Sequence, residues 1–595
     1  MKPKLRTSKK YLPLLTFIIL NLLLACDKKI ENPDTGLNDE LNFSQSDYES
    51  ILENKILNID SLNIDSTNIT GRSLNDNLDT LKYIYSTKDY KPIFIKSFES
   101  KNVVDSLLDI FGNSFQHGLN PELYNYTQIK KEFYESINPD KKDSDKYVHL
   151  ANAEMLVADA ILSYSIHMRH GVINPRKLYP DSYFLPVKDS LNKKLFEPFI
   201  QENIIQYLYN IQPQSDKYKK LQTALKQFES LMEIEWPIIP VTEKKIEIGD
   251  NYSSLNLVVN RLTTLGFLDT NKVKSSDFSV YDSLLAEPVK SFQIANGFNG
   301  DGVIDKSTIQ RLNITPKEYV NKIKITLERF RWLDYSDTSK YILVNIPDFR
   351  LYAVENKTEK FNIVICTGRK GEWETPNLYG EISYLVLNPT WSVPKSIIQE
   401  EIVSGLRKDS LYLKKRNFKV YKSGSRVSLD GLSASDISSS NRYSIVQDPG
   451  AGNALGKIKF MFKNPFGVYL HDTPTRAPFK YVNRAVSHGC MRVEKPMLLA
   501  EYLLANNSPW NLDYIKIEIG QKVSDQNKVA EFNIKRNELR KNSSYGVTTE
   551  VKFDKIISLF VDYYTVWVDN KGIFNYRDDV YGRDKVLMKS FLEIE

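Results

Sequence analysis

Cysteine is scarce in this chain: Cys26, Cys366 and Cys490 are the only three in 595 residues. So few thiols exclude a disulfide-stapled scaffold and a zinc cluster of the Cys/His kind. Histidine is equally thin, at six residues. His167 and His170 share a helical face with no further ligand near them, and read as structural or surface residues. An excess of one charge is missing too. Eighty basic against 74 acidic side chains leave a net charge of +6, too small for this length to imply nucleic acid. No apolar run is long enough for a confident membrane span. Gly450 to Lys457 fails as a phosphate loop, because its glycine spacing is wrong and Ile458 stands where a Ser or Thr should bind magnesium. Asn299-Gly300-Asp301 fails as a calcium loop, with Val303 at the third ligand position and no closing Glu. Asp578 to Asp584 is acidic but has no ordered ligand spacing, and reads as a charged turn.

What remains is ordinary globular material, 41% hydrophobic and 26% charged, long enough for several domains. Lys2, Lys4, Arg6, Lys9 and Lys10 precede a short apolar run, Leu12 to Leu24. Leu23-Leu24-Ala25-Cys26-Asp27 resembles a bacterial lipobox. That implies a signal peptide over 1–25, lipidation of Cys26 and a membrane-anchored lipoprotein facing the periplasm of the cell envelope. Residues 26–75 are rich in Asn, Asp, Ser and Glu and read as a flexible tether.

Residues 76–245 read as a helical scaffold, with apolar three- and four-residue spacing over Val103 to Phe111 and Ala151 to Arg169. A compact unit follows at 246–315. One helical stripe carries Leu255, Val258, Leu262 and Leu265, a second helix carries Val289, Phe292 and Gln293, and Thr308, Ile309 and Leu312 close it. Residues 316–337 read as a linking helix. From 338 to 520 the pattern turns to strands: Tyr341 to Ile346, Arg350 to Val354, Phe361 to Thr367, Ile382 to Leu387, Lys459 to Phe462 and Gly467 to Leu470. Cys366 lies inside one of these runs, so burial is its expected role. A polar, Ser-rich excursion over about 396–445 interrupts them and reads as a lid. Residues 521–595 read as a C-terminal segment packing on the catalytic and scaffold regions, with strand character over Leu559 to Asp569.

The chemistry gathers at Ser487-His488-Gly489-Cys490-Met491-Arg492. A thiolate nucleophile needs a base for its proton and backbone N–H groups facing a developing oxyanion. His471 ends a strand and can supply the base. His488 is too close in sequence to Cys490 to serve easily and suits a positioning role. Gly489 lets the backbone turn tightly and aim its N–H groups. Arg492 is a fixed positive charge suited to a carboxylate, or to a salt bridge with Glu494.

These residues are similar to the signature of L,D-transpeptidases with a YkuD-type catalytic domain. Leu327-Glu328-Arg329-Phe330-Arg331-Trp332, Asn388-Pro389-Thr390-Trp391-Ser392-Val393-Pro394, Asn453-Ala454-Leu455-Gly456 and Leu470-His471-Asp472-Thr473-Pro474 resemble the large YcbB-like subgroup. Val-Lys-Ser-Phe-Gln and Asp-Gly-Val-Ile-Asp within 246–315 resemble a three-helix peptidoglycan-binding module. The resemblance implies a multidomain α+β protein: helical scaffold, small three-helix module, and a mostly β catalytic domain with an inserted lid. It implies Cys490 as nucleophile, His471 as proton donor and acceptor, and the Asp472 backbone carbonyl as the group orienting His471. His488 and Gly489 are implied as support for the oxyanion, and Arg492 and Trp391 as substrate-binding residues. The implied reaction joins peptidoglycan stem peptides by 3–3 cross-links through a cysteine acyl-enzyme, without metal or organic cofactor, with other cell-wall enzymes as candidate partners. An L,D-carboxypeptidase and a non-catalytic wall-binding lipoprotein are the alternatives.

Overall fold

The 28-residue helix Asp143–His170 carries acidic residues in its first turn and basic ones in its last, matching its dipole. It is buried on nearly every side, and its buried set includes polar residues such as Glu154 and His167 as well as apolar ones. Helices Lys101–Gly112, Tyr126–Ser136 and Ile204–Asn210 pack against it. The structure, a computed structural model, describes residues 43–58, 77–186, 195–269, 278–333, 338–504, 510–541 and 548–594. The expected signal peptide over 1–25 and the lipidation site Cys26 lie outside the described residues. The reading of 26–75 as tether needs correction where it is described. Gln45–Leu57 is a helix that buries Tyr48, Leu52 and Ile56. The Tyr48 hydroxyl donates to the Ile95 carbonyl at 2.8 Å. These three buried residues, spaced at four, make one narrow stripe, and docking rather than propensity holds the helix.

Three helices, Leu255–Thr264, Ser283–Ala295 and Lys306–Leu312, pack around Leu262, Phe292 and Ile309 to form the small module. Asp301 has a structural role in the loop. Its carboxylate accepts the Val303 N–H at 2.9 Å and the Gln293 amide at 3.0 Å, closing the turn. Helix Pro316–Trp332 then runs on from a Thr315/Glu318 capping box. It is the molecule's hub. Arg331 and Glu328, both fully buried, pair at 2.6 Å. Arg331 also donates to the His117 carbonyl and the Tyr218 hydroxyl, and Glu328 accepts the Ile173 N–H.

The strands, in chain order, are β1 (Tyr183–Phe184), β2 (Lys340–Asn345), β3 (Arg350–Glu355), β4 (Thr358–Gly368), β5 (Asn377–Leu387), β6 (Trp391–Ser392), β7 (Phe418–Lys422) and β8 (Ser425–Val427). They continue with β9 (Tyr443–Gln447), β10 (Ile458–Phe462), β11 (Leu470–His471), β12 (Ala485–Ser487), β13 (Met491–Val493), β14 (Thr549–Asp562), β15 (Val566–Val568) and β16 (Phe574–Tyr576). The main sheet runs β5-β10-β11-β13-β4-β3-β2-β14, and β14 pairs back onto β5. The sheet is therefore a closed barrel, which abolishes its edges. Its interior is packed with Ile342, Val344, Leu351, Ile365, Leu385 and Phe460, among others.

Two expectations for the C-terminal segment change. It does not merely pack on the barrel, because β14 is one of its staves, parallel to β2 and antiparallel to β5. The strand ends at Asp562 rather than running to Asp569, and residues 566–568 belong to a separate hairpin with β16. The stretch read as a charged turn, Asp578 to Asp584, ends buried. Arg583 begins helix Arg583–Leu592, and Asp584 pairs with Arg329 at 2.6 Å and Lys322 at 3.0 Å. The excursion between β6 and β9 is a folded subdomain with its own sheet, β6-β9-β7-β8, and its own core around Ile402, Leu413, Val420 and Ile445.

Candidate active site

Strand register assembles the site. In β11 and β13, which run parallel, Leu470 lies beside Met491 and His471 beside Arg492. The Met491 N–H donates to the Tyr469 carbonyl at 3.0 Å. Alternation buries Leu470 and Met491 in the barrel and turns Tyr469, His471, Cys490 and Arg492 to the opposite face. On the other flank, β10 sets Lys459 directly across from His471.

His471 is buried, and its Nδ1 lies 2.6 Å from the Asp472 carbonyl oxygen. A carbonyl can only accept, so Nδ1 carries the proton and Nε2 keeps the lone pair. Asp472 is itself pinned: its N–H donates to the Ile458 carbonyl, and its carboxylate accepts the Lys457 N–H. Burial, with Arg492 and Lys459 adding to it, pushes His471 down to about 3, although its bond to Asp472 works the other way. The imidazole is neutral at neutral pH.

Cys490 is half-buried in a hollow, its Sγ 4.0 Å from the Gly467 carbonyl oxygen. Desolvation raises the thiol. The Tyr469 backbone N–H and phenol, followed by Lys459 and Arg492, pull it back. The Tyr469 hydroxyl is itself pushed well above its usual value, by burial first and then by Cys490. The Lys459 ammonium sits 3.8 Å from the centre of the Tyr469 ring. Cys366, the other described cysteine, is fully buried, and burial pushes it up to about 11.

The remaining candidates fall at different distances from this centre. Gly489 has φ +100°, a conformation that L side chains rarely adopt, and the turn is closed by Ser487 Oγ donating to the Cys490 carbonyl at 2.6 Å. The His488 ring stands edge-on to Trp373, with centroids 4.9 Å apart, and its Nε2 lies 2.9 Å from Arg369. Glu400 and Glu401 of the lid approach the same nitrogen at 3.4 and 3.5 Å. That nitrogen is engaged away from the thiol. Arg492 makes no ion pair with Glu494 or any other carboxylate among the described residues, and it stands free beside His471. Trp391 opens the lid sheet, and its ring packs against the lid core near Phe418. Among the described residues no group of three His, Cys, Asp or Glu side chains converges as a metal site.

Sequence reasoning missed Tyr469, Lys459, Arg369, Trp373 and Glu400. Tyr469 had a usable signal, since it stands two residues before His471 on a strand and must share its face. Lys459 required the β10–β11 register, which no local pattern gives.

Comparison with known proteins agrees with this architecture. Residues 339–523 match the family model described as "L,D-transpeptidase catalytic domain" (YkuD), residues 79–225 a "Scaffold domain" and residues 252–312 a "Putative peptidoglycan binding domain". A Haemophilus influenzae protein named "Putative L,D-transpeptidase" is 29% identical over 296 residues, which is 48% of this chain and 54% of that protein. The chain thus spans about half the length of that curated relative. The crystal structure of an L,D-transpeptidase from Xylanimonas cellulosilytica is 14% identical, covers 45% of this chain and 94% of its own, and has a TM-score of 0.15. The span that holds the barrel and its thiol, residues 339–523, is thus similar to L,D-transpeptidase catalytic domains of the YkuD type. The regions similar to a scaffold domain and to a peptidoglycan-binding domain precede it in the chain.

Proposed function

We propose that the chain is a cysteine-dependent L,D-transpeptidase that forms 3–3 cross-links between peptidoglycan stem peptides. The observation that carries this reading is His471, held through Nδ1 by the Asp472 carbonyl, with its free Nε2 on the face that bears Cys490. His471 takes the thiol proton as Sγ attacks the carbonyl carbon of the third residue of a donor tetrapeptide. The bond to the terminal D-alanine breaks, and the same proton leaves on its amine. The side-chain amine of an acceptor stem then attacks the thioester, gives its proton to His471, and the thiol is restored. Arg492, free of an ion pair, suits a stem carboxylate, and Trp391 suits the stem's passage under the lid. The module over 246–315 would hold the polymer, and a lipid on Cys26 would hold the protein at the membrane of the cell envelope.

Intact-mass measurement with a carbapenem tests the nucleophile. The expected result is one acyl adduct that vanishes in Cys490→Ala; an adduct that survives the substitution sinks the assignment. Muropeptide profiling then separates cross-linking from trimming. Growth of 3–3 dimers supports transpeptidation, whereas tripeptides accumulating without dimers makes the protein an L,D-carboxypeptidase.

A further inference from the structure

The loop that carries the nucleophile is fixed from beneath by groups that lie far from it in sequence. Thr375 is fully buried, and its hydroxyl has one proton to give and lone pairs to accept. It accepts the Gly368 N–H at 2.9 Å and donates to the Gly489 carbonyl at 2.8 Å. Thr375 is held in turn by Tyr581. The Tyr581 hydroxyl accepts the Thr375 N–H at 3.2 Å and donates to the Gly368 carbonyl at 2.7 Å. Arg583 adds a bond to the Thr375 carbonyl at 3.1 Å. There is no slack in this packing: a Cβ on Gly368 would stand 1.8 Å from the Trp373 carbonyl oxygen and 3.0 Å from the Gly489 Cα.

The consequence follows from the planarity of the peptide bond. In a trans peptide the C=O and the following N–H point in opposite directions. Fixing the Gly489 carbonyl on the buried Thr375 hydroxyl therefore aims the Cys490 N–H the other way, away from Thr375. That N–H has no acceptor among the described residues. An N–H preset in this way stabilises charge that develops on a carbonyl oxygen when Sγ attacks, at no cost in reorganisation.

We infer that Thr375, braced by Tyr581, is the positioning residue of the oxyanion donor, so that residues beyond the span matched as catalytic domain complete the active site. The inference rests on the transpeptidase reading above. Neither residue touches substrate; each acts through the Gly489–Cys490 peptide.

The test compares two reagents on the full chain. Acylation by a carbapenem passes through an oxyanion, whereas alkylation of Cys490 by iodoacetamide does not. Thr375→Val keeps the shape and removes the hydroxyl. It should slow acylation by about 10²-fold, in the range seen when one oxyanion donor is lost, and leave alkylation within about 2-fold. Thr375→Ser should restore acylation to within a few-fold, and Tyr581→Phe should fall between. Equal acylation in Thr375→Val and the parent overturns the inference. So does a parallel fall in both reactions, which would mean that the loop is merely disordered. A parent chain that is alkylated but never acylated would instead remove the transpeptidase reading itself.

Discussion

At Cys490 and His471 the electrostatics favour two neutral partners over a preformed thiolate–imidazolium pair. The thiol is raised by desolvation and the imidazole is lowered to about 3 by burial. Proton transfer must then accompany attack. Iodoacetamide should therefore react with Cys490 slowly at neutral pH and faster only as pH rises into the alkaline range. Tyr469→Phe should move that rise to higher pH by removing a donor to the thiolate. A plateau already reached at pH 5 would contradict this account. The same burial links His471 to stability. Its folded pKa is depressed, so the unfolded state binds more protons between about 3 and the usual histidine range near 6.5. Stability is intact above that range and falls as pH drops through it. His117, buried and also lowered to about 3 by burial and Arg331, behaves alike. Thermal midpoints should decline between pH 7 and pH 4, and His471→Gln should flatten the decline. At this scale the residues of the motif were legible because reactive side chains are rare in the chain. Tyr469, Lys459 and Thr375 were not, because an ordinary Tyr, Lys or Thr becomes meaningful only once its neighbours are known.

Among the elements, the lid is the one whose contacts with the site are polar and thin. Its helical segment contains a π-helical turn, Ile398–Ile402, and this turn presents Glu400 and Glu401 to His488. Glu400 also pairs with Arg369 at 3.0 Å. These carboxylates are exposed, and exposed ion pairs hold weakly and are screened by salt. Replacing both by Gln should leave the melting temperature almost unchanged but raise deuterium uptake over 395–408. Unchanged exchange would show that the lid is held by its own core and by Trp391 alone. The lid's position in the chain was readable from the break in strand pattern. Its internal sheet was not, since β6 is two residues long and pairs with β9 far along the chain, and β8 is three residues long in a short hairpin with β7. β11 likewise shrank from the expected run over Gly467 to Leu470 to a two-residue strand: Gly467 follows the turn at Pro465 and Phe466, and Asn464 takes the Val468 N–H and carbonyl.

Across the whole molecule, scaffold, barrel and C-terminal segment meet at helix Pro316–Trp332. Burial would raise the Asp584 carboxyl, but Lys322 and Arg329 outweigh it and hold the group down to about 2. Arg329 is almost entirely buried, with Asp584 as its carboxylate partner. Asp584→Asn would strand that guanidinium and should cost about 3–5 kcal/mol, seen as a lowered thermal midpoint. A midpoint within a degree or two of the parent would mean that the junction carries little of the stability. Module order was legible from periodicity and from the resemblance. The junction was not: a run such as Asp578 to Asp584 reads as solvated charge unless its partners, far back in the chain, are seen.

The closing stave β14 also dictates an order of assembly. It follows β13 only after helices Pro496–Leu504, Leu512–Glu518 and Gln526–Lys541, and Tyr581 comes later still. During synthesis the nucleophile, its base and most of the barrel emerge first and wait as an open sheet with two unpaired edges. Contacts between β14 and β5 span long stretches of sequence, and such pairings form slowly. An unfinished chain would thus carry Cys490 and His471 without the brace that sets the Cys490 N–H. Reactivity toward acyl donors would arrive only once Tyr581 is in place, and half-made molecules would be prone to sticking together rather than to premature chemistry.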